Sequence, residues 1–220
     1  MTKRLLDLLL AGIGVIALAP VLLAIAAWVR LDSPGPVLFR QERIGRHGRP
    51  FRIRKFRTMA VDAERIGVAG PAQVTVGGDP RITRAGAVLR RHKLDELPQL
   101  LDVLQGTMSL VGPRPEVPRW VAEWPDELRA QVLSVRPGLT DPASLAFADE
   151  ADLLARSADP ERTYREVLMP RKLAMAAAYV QERSLSGDLR LILATVARLA
   201  GGAGPTASDA SVGDRGARRG

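Results

Sequence analysis

The chain is 220 residues long, 46% hydrophobic and 25% charged, enough for one sizeable domain with an appendage and too polar for a multi-span membrane protein. With no cysteine and two histidines, His47 and His92, it lacks a disulfide framework and the ligands of a zinc centre, so any metal should be magnesium or manganese on oxygen. The net charge is +8, of which +7 lies between Arg40 and Arg57, where eight cations face Glu42 alone; such a block calls for an anionic partner, while 4% aromatics argue against base stacking on single strands.

From Leu8 to Val29 there are 22 residues without a charge. At ~1.5 Å per residue they cover roughly 33 Å, enough to cross a hydrocarbon core of about 30 Å. Lys3 and Arg4 precede the run and Arg30 follows it, and positive charge on both sides conflicts with the usual cytoplasmic bias of Lys and Arg. Pro20 lies in the middle, where it removes a backbone donor and kinks a helix. A re-entrant helix that enters the membrane, breaks at Pro20 and returns to the same face satisfies both facts, with arms of about 18 Å each. A straight span is the second reading. The third is a cleaved secretory signal, for which Ala24-Ile25-Ala26 has small-x-small character.

Beyond the membrane segment, Ser33-Pro34-Gly35-Pro36 is a turn. Phe51 to Phe56, reading FRIRKF, alternates like a strand, with Phe51, Ile53 and Met59 inward and Arg52, Arg54 and Lys55 near solvent or a site. Residues 62–80 form a Gly-rich loop. From Val88 to Leu104, leucines and valine recur every three or four residues, which predicts helices broken around Lys93 to Pro98, with Asp95 as N-cap and Gly106 as the stop. Short helices are expected at 126–133 and 150–157, around the Arg136-Pro137-Gly138 turn. A longer one at 164–183 should break at Pro170. The segment 188–199 carries Leu189, Ile192, Leu193, Val196 and Leu199 on one face, as a core helix or an interfacial one. The expected fold is mostly α with a small β element. A membrane-embedded helix at 1–30 precedes a compact cytoplasmic domain at 31–200, with a disordered tail at 201–220.

The most informative stretch is Leu94 to Glu116, LDELPQLLDVLQGTMSLVGPRPE. Asp95 and Glu96 are adjacent acids, unfavourable without nearby cations, and Arg114 stands between Pro113 and Pro115, which stiffen its loop. An isolated acid pair before a helix is usually a cap. Here the surrounding cations offer more: Arg and Lys can hold a diphosphate, one carboxylate can hold a metal, and the other can attack phosphorus.

Several strings occur in series: SPGPVLFRQERIG at 33–45, FRIRKFRTM at 51–59, DPRITRAGAVLRRHKLDELPQL at 79–100, MSLVGPRPE at 108–116 and RPGLTDPASL at 136–145. With Lys3, Arg4 and Asp7 they are spread over about two thirds of the chain, and in this order they resemble the bacterial sugar transferases, the small monotopic polyprenyl-phosphate phosphoglycosyl transferases. The resemblance implies Asp95 as nucleophile, Glu96 as magnesium ligand, and Lys55, Arg57, Arg90 and Arg114 as phosphate-binding residues. Ala19-Pro20 stands where many members have Ser-Pro, and Thr140-Asp141-Pro142 departs from the family's usual continuation. The implied reaction moves a sugar 1-phosphate from a UDP-sugar to polyprenyl (undecaprenyl) phosphate, releasing UMP through an aspartyl phospho-sugar. Its implied setting is the cytoplasmic face of the bacterial inner membrane, in contact with its lipid, as the first membrane step of a cell-surface polysaccharide or glycoconjugate pathway. No nucleic acid partner is expected, and sugar, pathway and oligomeric state stay open. The alternative is a non-catalytic membrane adaptor that binds anionic lipid or nucleic acid through the Arg-rich block.

Overall fold

The computed structural model describes residues 2–61 and 79–201. Most of the expected Gly-rich loop and all but the first residue of the expected tail lie outside the described residues.

The long helix α1 spans Thr2–Asp32 and is apolar and long enough to cross a membrane. It continues through Pro20 as one helical element, not as the two expected. Proline deletes only the bond to the Ile16 carbonyl, and the adjoining turns keep theirs. One stripe faces the rest of the protein: Asp7, Ala11, Ile25 and Val29 are buried, and Leu18 and Leu22 pack between them. These positions recur at three and four residues, the spacing of one helical face. The opposite face is bare hydrocarbon, with Leu5, Leu9, Ile13, Ile16, Leu23 and Leu31 exposed.

Both ends of α1 are fastened to the same body. At the amino end, Lys3 pairs with Asp188 at 2.6 Å, and Arg4 donates to the carbonyls of Val103 and Leu104. The buried Asp7 carboxylate accepts from Ser109 Oγ and the Leu110 amide. At the carboxyl end, Asp32 accepts from the Ala85 amide, and Arg57 donates to the carbonyls of Val29, Ser33 and Pro34.

Strands β1 (Leu38–Ile44) and β2 (Pro50–Phe56) form an antiparallel hairpin. Helix α2 (Arg84–Arg91) is capped by Thr83, and a 3-10 turn over Leu94–Gln99 leads into α3, Leu100–Gln105. Gly106 ends α3 in the left-handed region, as expected. The N-cap expectation for Asp95 is corrected. The capping position belongs to Lys93, itself left-handed at φ 55° and without a side-chain cap bond, so Asp95 lies inside the turn.

A short parallel pair, β3 (Ser109–Val111) and β4 (Gly138–Thr140), crosses beneath. Helices α4 (Pro118–Ala122) and α5 (Asp126–Val132) lie between these two strands in sequence. Helices α6 (Pro142–Ala146), α7 (Glu150–Ala155) and α8 (Pro160–Thr163) follow β4. A π-turn over Tyr164–Leu168 precedes α9, Met169–Glu182; it sits just before Pro170, whose missing donor the irregular turn accommodates.

The last helix, α10 (Leu185–Leu199), turns Leu191 and Ile192 onto the core. Leu189, Leu193, Val196 and Leu199 are exposed, so the core-helix reading fails for four of its five residues. The core joins Ala11, Ile53, Val103, Met108 and Tyr179 in one cluster and Val29, Phe56 and Leu89 in another. Helix α1 is thereby built into the body and is not a detached stalk.

Candidate active site

Alternation along β2 decides where Lys55 goes. It shares the face of Ile53, which is 2% exposed, and so points inward. Its ammonium meets Glu96 Oε1 at 2.7 Å. Glu96 rides on the 3-10 turn and receives Arg114 as well: one guanidinium nitrogen donates to Oε2 at 3.0 Å, the other to Oε1. Lys55, Glu96 and Arg114 thus form one clamp from three separate segments.

The loop carrying Arg114 is held by backbone geometry. The strands β3 and β4 approach so closely that a Cβ on Gly138 would strike the Gly112 backbone. The Arg114 amide donates to Asp141 Oδ2 at 3.2 Å, while Asp141 Oδ1 caps α6 through the Ser144 amide at 2.7 Å. Pro113 and Pro115 flank Arg114 and restrict the loop further. Behind it, Arg43 donates to Glu116, to the Pro115 carbonyl and to Gln41. Tyr164 OH donates to the other oxygen of Glu116.

The charges in this cluster act on one another. Burial opposes ionisation of Glu96, but Arg114 and Lys55 outweigh it and hold its carboxyl well below the usual range. Burial pulls the Lys55 ammonium down, and Arg114 adds to this while Glu96 counteracts it. Asp95 behaves in the opposite sense from Glu96. Burial and then the Glu96 charge push its carboxyl up, against the pull of Lys55, Arg90 and Lys93. Asp95 is 8% exposed, and its Oδ1 is buried with no hydrogen-bond partner. Such an oxygen is costly unless something else engages it.

The structure does not bring every candidate to this point. Arg57 is 5% exposed, and its guanidinium is occupied by the carbonyls after α1, so it clamps the helix end and does not join the clamp on Glu96. The Arg90 side chain, on α2, makes no hydrogen bond among the described residues but lies close enough for its charge to act on Asp95. Pro20 belongs to α1 and takes no part in the clamp. Arg43, Glu116, Asp141 and Tyr164 were not singled out by sequence reasoning. Arg43 was hidden in the basic block, and Glu116 was quoted only as the end of the Pro-Arg-Pro string.

The basic block itself is not one surface. Arg43, Arg54, Lys55 and Arg57 turn inward to partners, and Arg40, Arg46, Arg49 and Arg52 remain exposed.

The donor set can be tested against magnesium. Among the described residues no three acidic or histidine side chains cluster as an all-protein cage. Magnesium commonly takes one or two carboxylates and completes its shell with phosphate oxygens and water. Glu96 Oε1 already has two donors and Oε2 one, which leaves one lone pair on Oε2. That oxygen fits a cation whose remaining shell a phosphorylated substrate and water complete.

Residues 1–202 match the family described as bacterial sugar transferase. The chain belongs to that family. It is 37% identical over 204 residues to the UDP-N-acetylgalactosamine-undecaprenyl-phosphate N-acetylgalactosaminephosphotransferase of Aeromonas hydrophila, a match covering 92% of this chain and 44% of that one. It is 40% identical over 208 residues to the UDP-glucose:undecaprenyl-phosphate glucose-1-phosphate transferase of Caulobacter vibrioides, covering 90% and 69%. The exopolysaccharide production protein PSS of Rhizobium leguminosarum is 53% identical over 112 residues, covering 51% and 54%. The sugar transferase chain thus spans less than half of the Aeromonas relative and about two thirds of the Caulobacter one.

Proposed function

We propose that this sugar transferase moves a sugar 1-phosphate from a UDP-sugar to polyprenyl phosphate, through a covalent phospho-sugar on Asp95. The observation that carries this reading is the unpartnered carboxylate oxygen of Asp95 beside the Lys55–Glu96–Arg114 clamp. An acid kept buried, with three cations acting on it and one oxygen bare, is poised for a phosphorus atom.

In the first step an Asp95 oxygen bonds to the β-phosphorus. The bond from that phosphorus to the bridging oxygen breaks, and UMP leaves with the bridging oxygen. In the second, an oxygen of polyprenyl phosphate bonds to the same phosphorus and the Asp95 carboxylate is released. Lys55 and Arg114 are already ordered by Glu96, so they can meet developing phosphate charge with little rearrangement. Arg90 approaches from α2, where no side-chain hydrogen bond among the described residues fixes its guanidinium. Magnesium, held through Glu96 Oε2 and substrate phosphates, would neutralise diphosphate charge when bound.

The lipid substrate gives the apolar surfaces a purpose. The bare faces of α1 and α10 lie in the inner membrane's cytoplasmic leaflet, and both ends of α1 stay on the catalytic side. Their attachment to one polar body supports that placement, because a helix crossing the bilayer would carry one set of attachments to the far side.

Replacement of Asp95 by Asn should abolish UMP release and the covalent adduct formed from radiolabelled UDP-sugar. Normal turnover in that variant would remove Asp95 from the nucleophile role. Cysteines placed at residues 2 and 32 should both resist an impermeant thiol reagent applied outside intact cells; labelling of either would sink the same-face arrangement.

A further inference from the structure

A second charged cavity, of about 210 Å³, opens at the amino end of α1. Its walls carry Lys3, Arg4, Arg46, Arg136 and Arg183 against one lining carboxylate, Asp7. It lies at the far end of α3 from the transfer site. Eight residues separate Glu96 from Leu104, whose carbonyl Arg4 binds, roughly 12 Å or more of helical chain at ~1.5 Å per residue.

The charge in this cavity is poorly compensated. Lys3 is met by Asp188. Arg4, Arg46, Arg136 and Arg183 donate to backbone carbonyls, those of Val103 and Leu104, Ser134, Gly106 and Val180. Among the described residues none of these four arginines pairs with a carboxylate. A carbonyl orients a guanidinium without cancelling its charge. Asp7 is buried and directed at Ser109 and Leu110.

Helix α1 has no acid in its first turn. Asp188 answers Lys3 there, while among the described residues no carboxylate pairs with Arg4, whose charge adds to the positive end of the helix.

We propose that this cavity binds a phosphate-bearing anion at a site separate from the transfer site. Its volume is about seven times the roughly 30 Å³ share of a liquid water, room for a phosphate and its ester substituents. Planar guanidinium forks are the side chains suited to such a group. The chemistry is shared by the headgroup of an anionic phospholipid and by a soluble phosphate. The apolar surface at this end of the molecule favours the lipid: Leu5 and Leu9 are exposed on the opposite face of α1 and Leu185 and Leu189 on α10, and the Lys3–Asp188 pair joins the first turns of those two helices.

The test measures binding alone, so it stands apart from any failure of the transferase reading. Thermal unfolding of the purified full chain is followed in bicelles of phosphatidylcholine, in the same bicelles with phosphatidylglycerol added, and with inorganic phosphate. Phosphatidylglycerol should raise the transition above phosphatidylcholine alone. Arg183→Gln and Arg136→Gln should each reduce that rise, the affinity read from it across lipid concentrations falling about tenfold with the loss of one charge-assisted contact. Arg52→Gln, on the exposed strand face, should leave it intact. An equal rise with inorganic phosphate, competing with the lipid, would identify a soluble phosphate as the ligand. The proposal is overturned if neither probe shifts the transition, if Arg183→Gln responds like the parent, or if Arg52→Gln weakens the effect as much as the cavity variants. Arg183 is exposed, so its replacement tests the site even if Arg136→Gln fails to fold.

Discussion

Glu96→Gln removes the one negative charge between two cations while keeping shape and an acceptor. Lys55 and Glu96 are 18% and 13% exposed at the side chain and 2.7 Å apart. Removing one partner of a buried pair costs about 3–5 kcal/mol. A retained neutral hydrogen bond offsets about 1 kcal/mol of this. Arg114 is 36% exposed, so solvent screening limits its share to about 1 kcal/mol or less. The net loss is on the order of 3 kcal/mol, or roughly 6–12 °C in the midpoint for a domain of this size. Thermal unfolding in detergent of the parent, Glu96→Gln, Lys55→Met and the double variant measures this as a cycle. The double variant should lose clearly less than the sum of the singles. A drop below about 2 °C for Glu96→Gln, or strict additivity, would show that the clamp is not a coupled charge cluster.

Acid sensitivity follows from the same cluster. Glu96 and Glu116 bind protons less readily in the fold than in the unfolded chain. The stability they contribute is present above the ordinary glutamate range and lost as pH falls through their folded values. Midpoints measured from pH 7 downward should fall on the acid side, and Glu96→Gln should flatten that limb; an unchanged limb would refute the assignment. Arg57→Gln should cost about 2 kcal/mol of stability through its lost carbonyl contacts, roughly 4–8 °C in the midpoint, and leave UDP-sugar affinity unchanged. Weaker nucleotide binding at an unaltered midpoint would place Arg57 in the site after all. Gly138→Ala forces a Cβ into the Gly112 backbone and should cost about 2–4 kcal/mol. If calorimetry shows the parent midpoint, the close strand crossing does not hold the Arg114 loop.

The convergence of Lys55, Glu96 and Arg114 was legible because each lies in a motif dense with charge and proline. The strand at 50–56 was legible from alternation, and that alternation also puts Lys55 on the face of Ile53. The Arg57 clamp was not legible, because its partners are carbonyls at the end of α1, and carbonyls carry no side-chain signature. Asp95 looked like a helix cap because an Asp three residues ahead of Pro98 reads that way; the left-handed Lys93 shifts the turn by two residues, which no propensity for lysine suggests. The outward leucines of α10 followed a helical period that reads alike for a core and for a lipid surface. Asp141 stood out only as part of the Thr140-Asp141-Pro142 departure, because its work is done on backbone amides, those of the distant Arg114 and of Ser144 three residues on.

Helix α1 is fastened at Lys3, Arg4 and Asp7 on one side and at Val29 and Asp32 on the other. Whatever depth it takes in lipid therefore sets the altitude of Asp95, because the described residues tie both ends of the helix to the body that carries the turn. Under the proposed reaction the acceptor's phosphate must come to a fixed height, and selection among lipid acceptors becomes partly a matter of how far each can lift its headgroup.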